Sequence, residues 1–134
     1  MTFLTKKFSA SVAQTPSSKG QGDAAEDQAL QHLQQQGLKL LQRNYRTPGR
    51  GGGEIDLIMA EPDGTLVFVE VRKRASASHG GAAASVGPLK QRRIIFAAHH
   101  YLMRNPGALP PCRFDVVGVE AGQVQWLRAA FMAQ

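Results

Sequence analysis

Two acidic residues of this sequence, Asp56 and Glu70, stand inside two of its most apolar stretches, EIDLIMA (54–60) and LVFVEV (66–71). A buried charge is unfavourable unless it is paired or coordinates a metal, so each acid needs a partner. Neighbouring carboxylates can hold a divalent cation, and Mg²⁺ prefers one or two carboxylates together with water and phosphate oxygens. Such a cation would bind a phosphodiester, lower the pKa of an attacking water and stabilise charge on the transition-state oxygens. The pair therefore predicts a phosphodiester-hydrolysing site for Mg²⁺ or Mn²⁺.

The segment between the two stretches, EPDGT (61–65), predicts a tight hairpin that brings the acids together. Its Pro-Asp pair suits the centre of a type I turn, and Gly64 suits the left-handed position that follows. This is the pattern of a three-residue hairpin loop with a glycine bulge. If the two outer residues of the segment close the loop, Asp56 lies directly opposite Glu70.

This register gives the hairpin one apolar face and one mixed face. The apolar face pairs Ile55 with Val71, Leu57 with Val69 and Met59 with Val67; the mixed face pairs Ala60 with Leu66, Ile58 with Phe68, Asp56 with Glu70 and Glu54 with Arg72. Like charges directly opposed across two strands are destabilising. A bound cation would offset the repulsion, and so would a single shared proton with a strongly raised pKa. Neighbouring basic residues could also neutralise the pair, or a register slip could separate it.

The surrounding pattern predicts an α/β domain in the order α-β-β-β-α-β, with a mixed sheet flanked by helices. Short connections make the first three strands antiparallel, and the second helix makes the third and fourth strands a parallel, right-handed βαβ unit. Residues 1–19 are predicted to be a flexible tail, and residues 20–134 a single domain. The predicted helices span 23–36 and 88–105, and the predicted strands span 38–46, 54–60, 65–74, 113–119 and 123–127.

Charge and composition favour a nucleic acid as partner. The net charge is +6 and the sequence pI is about 10.0, which suits a polyanion, although basic residues on an ordinary solvated surface would give the same totals. The single cysteine, Cys112, favours a reducing, cytoplasmic setting, and no apolar run approaches the length of about 20 residues that crosses a membrane. The candidate nucleic-acid-binding residues are Arg46, Arg50, Lys73, Arg74, Lys90 and Arg93.

Several segments together resemble the YraN family. They are GDAAEDQALQHL near the start, GEIDLI (53–58), LVFVEV (66–71) with the basic run after it, Lys90 and Arg93 on the second helix, and RFDVV (113–117). That family is bacterial and of unestablished role, with a restriction-endonuclease-like fold similar to archaeal Holliday junction resolvases. The resemblance covers residues 19 to about 131. Because resolvase-like enzymes usually work as symmetric dimers, it also allows a homodimer.

The resemblance implies a PD-(D/E)xK-type nuclease site. Asp56 and Glu70 would be its metal ligands, the Val71 carbonyl would contribute, and Glu26 matches the helix glutamate of resolvase-like members. This sequence departs from the motif in two places, because Ile55 stands at the proline position and Arg72 at the lysine position.

Arginine stays charged in proteins, so Arg72 could clamp a phosphate but could not act as a general base. Arg72 could also simply pair with Glu54. Strand alternation points Lys73 to the other face of the sheet, unless a bulge re-aims it. Lys90 could contact phosphate, stand in for the missing lysine or lie on a solvated surface.

These features favour a metal-dependent endonuclease that acts on DNA, including branched or structured DNA, with Asp56, Glu70 and Arg72 as its catalytic residues. The arginine at the lysine position favours an alternative, a nucleic-acid-binding module that has the same fold but does not cleave. A protein-interaction adaptor that uses the tail or the loop at 75–87 is a third reading, with less support in the sequence.

Overall fold

The computed structural model describes residues 18–73, 85–105 and 107–133. The predicted order of elements is confirmed, and the second strand has the predicted bounds. The elements are helix α1 (Ser18–Gln35), strands β1 (Lys39–Arg46), β2 (Glu54–Ala60) and β3 (Leu66–Arg72), helix α2 (Pro88–Arg104), and strands β4 (Cys112–Glu120) and β5 (Gln123–Phe131). Helix α1 begins at Ser18 rather than at Asp23, so its first turns include the last two residues assigned to the tail. Residues 1–17 and most of the loop predicted at 75–87 lie outside the described residues.

The five strands form one mixed sheet in the order β1-β2-β3-β4-β5. Only the β3–β4 pair is parallel, with Leu66 aligned to Cys112 and Arg72 to Gly118, while the other three pairs are antiparallel. Helix α2 connects the two parallel strands, as the βαβ prediction requires. The fold is therefore the predicted α/β arrangement.

A separate hydrophobic cluster covers each face of the sheet. On one face α1 contributes Ala25, Ala29 and Leu33, all three from the predicted stripe, which pack on side chains of β2, β3 and β4. On the other face α2 contributes Ile94, Ala97 and Ala98 to a second cluster. Because both faces are covered, the three central strands, β2, β3 and β4, are apolar on both sides, as is typical of sheets with helices on each face.

The side chains of β2 stop alternating regularly between the two faces of the sheet at Asp56. Leu57 and Met59 belong to the α1-side cluster, whereas Ile55 belongs to the α2-side cluster together with Ile58. Regular alternation would put Ile55 on the same face as Leu57, so the prediction of one apolar face with Ile55 in it is wrong. Opposite this point, Asn44 of β1 has a positive φ of 55°. Strands β1 and β2 are therefore locally irregular at Asp56.

Strand β5 extends to Phe131, four residues beyond its predicted end at Leu127. The extension passes a bulge at Ala129, whose φ is 50°. The buried carboxylate of Asp115 accepts the Ala129 N–H at 2.9 Å and the Trp126 indole N–H at 2.9 Å. Asp115 also binds Arg113 at 3.0 Å, so its role is structural, as a partner for an arginine.

Neither described helix is long and apolar enough to cross a membrane.

Gly53 lies at the closest approach between the start of β2 and α2. A Cβ atom at Gly53 would stand 1.9 Å from the Arg93 carbonyl oxygen, whereas one at Gly87, before α2, would meet nothing within 4 Å. Gly53→Ala should therefore destabilise the protein by about 3 kcal/mol, since the obstacle is backbone. Gly87→Ala, the matched control, should cost at most about 1 kcal/mol. Urea unfolding of both variants tests the difference, and equal losses would contradict the close packing.

Candidate functional site

The predicted hairpin register is confirmed from the turn as far as Leu57–Val69. Gly64 has a φ of 95°, and the Glu61 N–H donates to the Thr65 carbonyl at 2.9 Å, as the glycine-bulge loop requires. The ladder ends there. The direct pairings predicted for Ile55 with Val71, Asp56 with Glu70 and Glu54 with Arg72 are therefore wrong.

The ladder ends because the Asp56 side chain replaces one of its acceptors. Continued pairing would have the Val71 N–H donate to the Ile55 carbonyl, by the alternation of hydrogen-bonded pairs. Instead that N–H donates to Asp56 Oδ2 at 2.8 Å. The bond turns the carboxylate toward β3 and keeps Asp56 beside Glu70, although the two residues are not a paired position of the ladder.

Both carboxylates are buried, with 9% of Asp56 and 3% of Glu70 exposed. Burial is the main reason that the pKa of Asp56 rises, to about 7, and the charge of Glu70 raises it further. The Val71 N–H and the charge of Lys90 act in the opposite direction. Desolvation and repulsion thus outweigh the local stabilisation of the Asp56 carboxylate.

The two oxygens of Glu70 have different surroundings. Arg72 Nη1 lies 3.2 Å and Lys90 Nζ 3.6 Å from Oε2. Oε1 is buried and accepts no hydrogen bond from any residue that the structure describes. The neighbouring basic residues therefore neutralise Glu70 in part, but Glu70 Oε1 keeps no hydrogen-bond partner, and Asp56 forms no direct ion pair, among the described residues.

Arg72 contacts Glu70 and not Glu54, so the suggested Arg72–Glu54 pair is wrong. Its Nε donates to Ser85 Oγ at 3.0 Å and its Nη2 to the Ser85 carbonyl at 3.2 Å. Glu54 lies instead 3.7 Å from Arg46. All three nitrogens of the Arg72 guanidinium thus have partners on Glu70 and Ser85.

Glu26 lies at the border of the site. Burial raises its pKa, and so does the charge of Asp56. Its carboxylate accepts a hydrogen bond from Arg43 Nε at 3.2 Å, and Asn44, with its amide nitrogen turned inward, lies 3.3 Å from both Glu26 oxygens. Within residues 18–73, 85–105 and 107–133, no three His, Cys, Asp or Glu side chains form a group able to hold a metal ion. A ligand role for Glu26 stays a prediction, and Arg43 contacts only one oxygen of its carboxylate, Oε1.

The predicted nucleic-acid-binding residues that the structure describes fall into three places. Arg46, Lys90 and Arg93 line one pocket of about 300 Å³ beside the carboxylates. Arg50 is exposed in the glycine-rich loop between β1 and β2, and Lys73 is exposed at the end of β3. Arg74 lies outside the described residues.

Three residues around the site were not identified from the sequence. Ser85 binds Arg72, Arg43 binds Glu26, and Thr47 accepts the Gly53 N–H on its hydroxyl at 2.7 Å. Ser85 stands among small residues and Arg43 within a basic stretch, where nothing in the local sequence distinguishes either of them. Thr47 precedes Pro48 and the glycines, so its place at the start of a turn was the one available indication.

The mixed sheet, its two covering helices and the acidic pair at the neighbouring ends of β2 and β3 define an α/β protein with a restriction-endonuclease-like core. The chain belongs to the uncharacterised protein family UPF0102, whose model matches residues 25–119. UPF0102 is the YraN family, so the resemblance found in the sequence is confirmed.

Similar proteins in the family cover nearly the whole chain. A UPF0102 protein of Albidiferax ferrireducens is 73% identical over 120 residues, which are 90% of this chain and 93% of that protein. UPF0102 proteins of Acidovorax sp. and Paracidovorax citrulli are 60% and 61% identical, each over 99% of both chains.

The raised pKa of Asp56 predicts a pH-dependent loss of stability in metal-free protein. Because the pKa is about 7 in the folded state against an ordinary 3.8, the folded state binds more protons between these values. Stabilisation present below pH 3.8 is therefore lost as the pH rises through about 7, by at most about 4 kcal/mol. Urea unfolding in EDTA across this range should show wild type losing stability relative to Asp56→Asn, whose amide oxygen can still accept the Val71 N–H. Parallel curves would contradict the assigned environment.

Proposed function

We propose that this protein is a metal-dependent endonuclease that hydrolyses phosphodiester bonds in DNA, including branched or structured DNA, in the cytoplasm. Asp56 and Glu70 would hold Mg²⁺ or Mn²⁺ with the Val71 carbonyl. One observation carries the proposal: Glu70 Oε1 is buried without a hydrogen-bond donor among the described residues, beside a second buried carboxylate. Unpaired buried acceptors are rare, and a cation would satisfy this one.

A cation accounts for the pair better than the two alternatives do. A shared proton is favourable only below about pH 7, the pKa of Asp56, so it leaves the pair charged in mildly alkaline solution. Arg72 and Lys90 contact the other Glu70 oxygen, Oε2. Two carboxylates with one backbone carbonyl form the all-oxygen donor set that Mg²⁺ and Mn²⁺ prefer.

The protein groups around this site have separate roles in the proposal. The bound cation would supply Lewis-acid stabilisation of the phosphate and a lowered pKa for the attacking water. Arg72 is always charged and is bound to Glu70 and Ser85, so it orients the Glu70 carboxylate and adds positive charge near the phosphate. The Val71 N–H orients Asp56. Glu26 could join the ligands through Oε2, because Arg43 contacts only Oε1.

Removing one carboxylate should strongly weaken both metal binding and cleavage. Asp56→Asn should lower the affinity for Mn²⁺ and the cleavage rate by more than about 100-fold, since even groups that merely orient metal ligands contribute about 10- to 100-fold. Mn²⁺ titration calorimetry and cleavage of branched and linear DNA measure the two effects. Glu120→Gln, an exposed carboxylate at the end of β4, is the matched control and should change neither. Wild type that neither binds Mn²⁺ nor cleaves DNA would reject the proposal.

The second candidate function is nucleic-acid binding without hydrolysis on the same fold. The observation that favours it is the Arg72 guanidinium, whose three nitrogens each already have a partner, at the position where the motif has lysine. A module of this kind would bind DNA with an affinity that falls steeply as salt rises, and would leave the DNA intact with Mn²⁺ present. Salt titration of DNA binding tests this candidate, and an affinity independent of ionic strength would exclude it.

A homodimer of this protein stays a prediction.

A further inference from the structure

The pocket next to Lys90 lies between the glycine-rich loop at 47–53 and the first half of α2, with a volume of about 300 Å³. Thr47 closes the base of the loop, because its N–H donates to the Gly53 carbonyl at 3.0 Å and its hydroxyl accepts the Gly53 N–H at 2.7 Å. One wall of the pocket is therefore a loop whose two ends, Thr47 and Gly53, are hydrogen-bonded to each other.

Close packing holds that loop against the helix. Any side chain at Gly53 would collide with the Arg93 carbonyl, and one at Gly52 would stand 2.1 Å from Thr47 Oγ1. Glycine at these positions lets the backbone approach closely, so that polar loop groups and helix side chains line a single cavity.

The side chains of the pocket leave it positively charged. Three cations, Arg46, Lys90 and Arg93, line it together with one carboxylate, Glu54. Glu54 lies 3.7 Å from Arg46, and Lys90 lies 3.6 Å from Glu70. Arg93 is exposed and forms no ion pair with any carboxylate in the described part of the chain. A guanidinium of this kind suits bidentate binding of a phosphate.

We propose that this pocket binds a phosphate group of a nucleic-acid strand through Arg93, with Arg46 on the opposite wall. Lys90 lines the pocket and also contacts Glu70. A phosphate bound in the pocket would therefore lie close to the phosphate that the carboxylate pair is proposed to hydrolyse. That the two phosphates belong to one strand rests on the proposed function. Phosphate binding in the pocket itself needs neither a metal nor hydrolysis. The phosphate comes either from the strand backbone or from a strand end.

Two neighbouring arginines of α2 provide a matched test. Arg93 lines the pocket, whereas Arg92 is exposed on the same helix and does not line it. Arg93→Gln should weaken binding of a short single-stranded DNA about tenfold, the size of one charge-assisted hydrogen bond. It should also reduce the slope of log affinity against log salt by about 0.7, one phosphate contact. Arg92→Gln removes the same charge and should leave the slope unchanged.

Fluorescence anisotropy with the full-length protein in EDTA measures these affinities, so a failure of cleavage cannot affect the result. Arg46→Gln tests the opposite wall and should also weaken binding. Equal losses for Arg92→Gln and Arg93→Gln would overturn the proposal, since they would reflect the general surface charge. Unchanged binding in Arg93→Gln would overturn it as well. Either result would leave the carboxylate site to be judged by Mn²⁺ binding.

The same assay distinguishes the two phosphate sources. If a strand end occupies the pocket, a 5′-phosphorylated oligonucleotide should bind more tightly than its 5′-hydroxyl counterpart, and Arg93→Gln should remove the difference. If a backbone phosphate occupies it, both oligonucleotides should bind wild type equally and both should lose affinity in Arg93→Gln. Both results support a phosphate pocket and differ only in the chemical form that it accepts.

Discussion

The hydrogen bond from the Val71 N–H to Asp56 Oδ2 is the interaction on which the candidate site depends. The Val71 N–H donates to a side chain instead of to the backbone of β2, so β2 and β3 stop pairing after Leu57–Val69. The same distortion puts Ile55 and Leu57 in clusters on opposite faces, which leaves Asp56 between the two layers rather than inside either. A regular ladder would bury this carboxylate against α2.

The charges around the two acids are unevenly compensated. Arg72 and Lys90 both contact Glu70 Oε2, while Asp56 has one backbone donor and an adjacent negative charge. Desolvation therefore dominates at Asp56 and raises its pKa, whereas one oxygen of Glu70 has two cationic side chains beside it. A divalent ion would relieve the repulsion and the desolvation and would give the unpaired Glu70 oxygen a partner, whereas a proton shared by the two carboxyl groups could do so only below about pH 7, the pKa of Asp56.

The parts of the fold predicted from the sequence are those set by local chemistry. The EPDGT turn determines the hairpin register near Gly64, and the apolar run of β2 determines both ends of that strand. The failures begin at Asp56, because a side chain that accepts a ladder hydrogen bond leaves no trace in the apolar alternation. The partners of Arg72 and Glu26 were missed for a related reason. Ser85 is 13 residues from Arg72, and Arg43 is 17 residues from Glu26, so only the folded arrangement brings them together.

The two hydrogen bonds from Arg72 to Ser85 join the end of β3 to the residues that lead into α2. The Arg72 side chain thus holds together two points of the chain that are 13 residues apart. Side-chain bonds of this kind fix the distance between the last residue of β3 and the residue three positions before α2. Because Arg72 also contacts Glu70, and Lys90 of α2 contacts the same Glu70 oxygen, this cross-link ties the acidic strand to the helix that supplies the second cation.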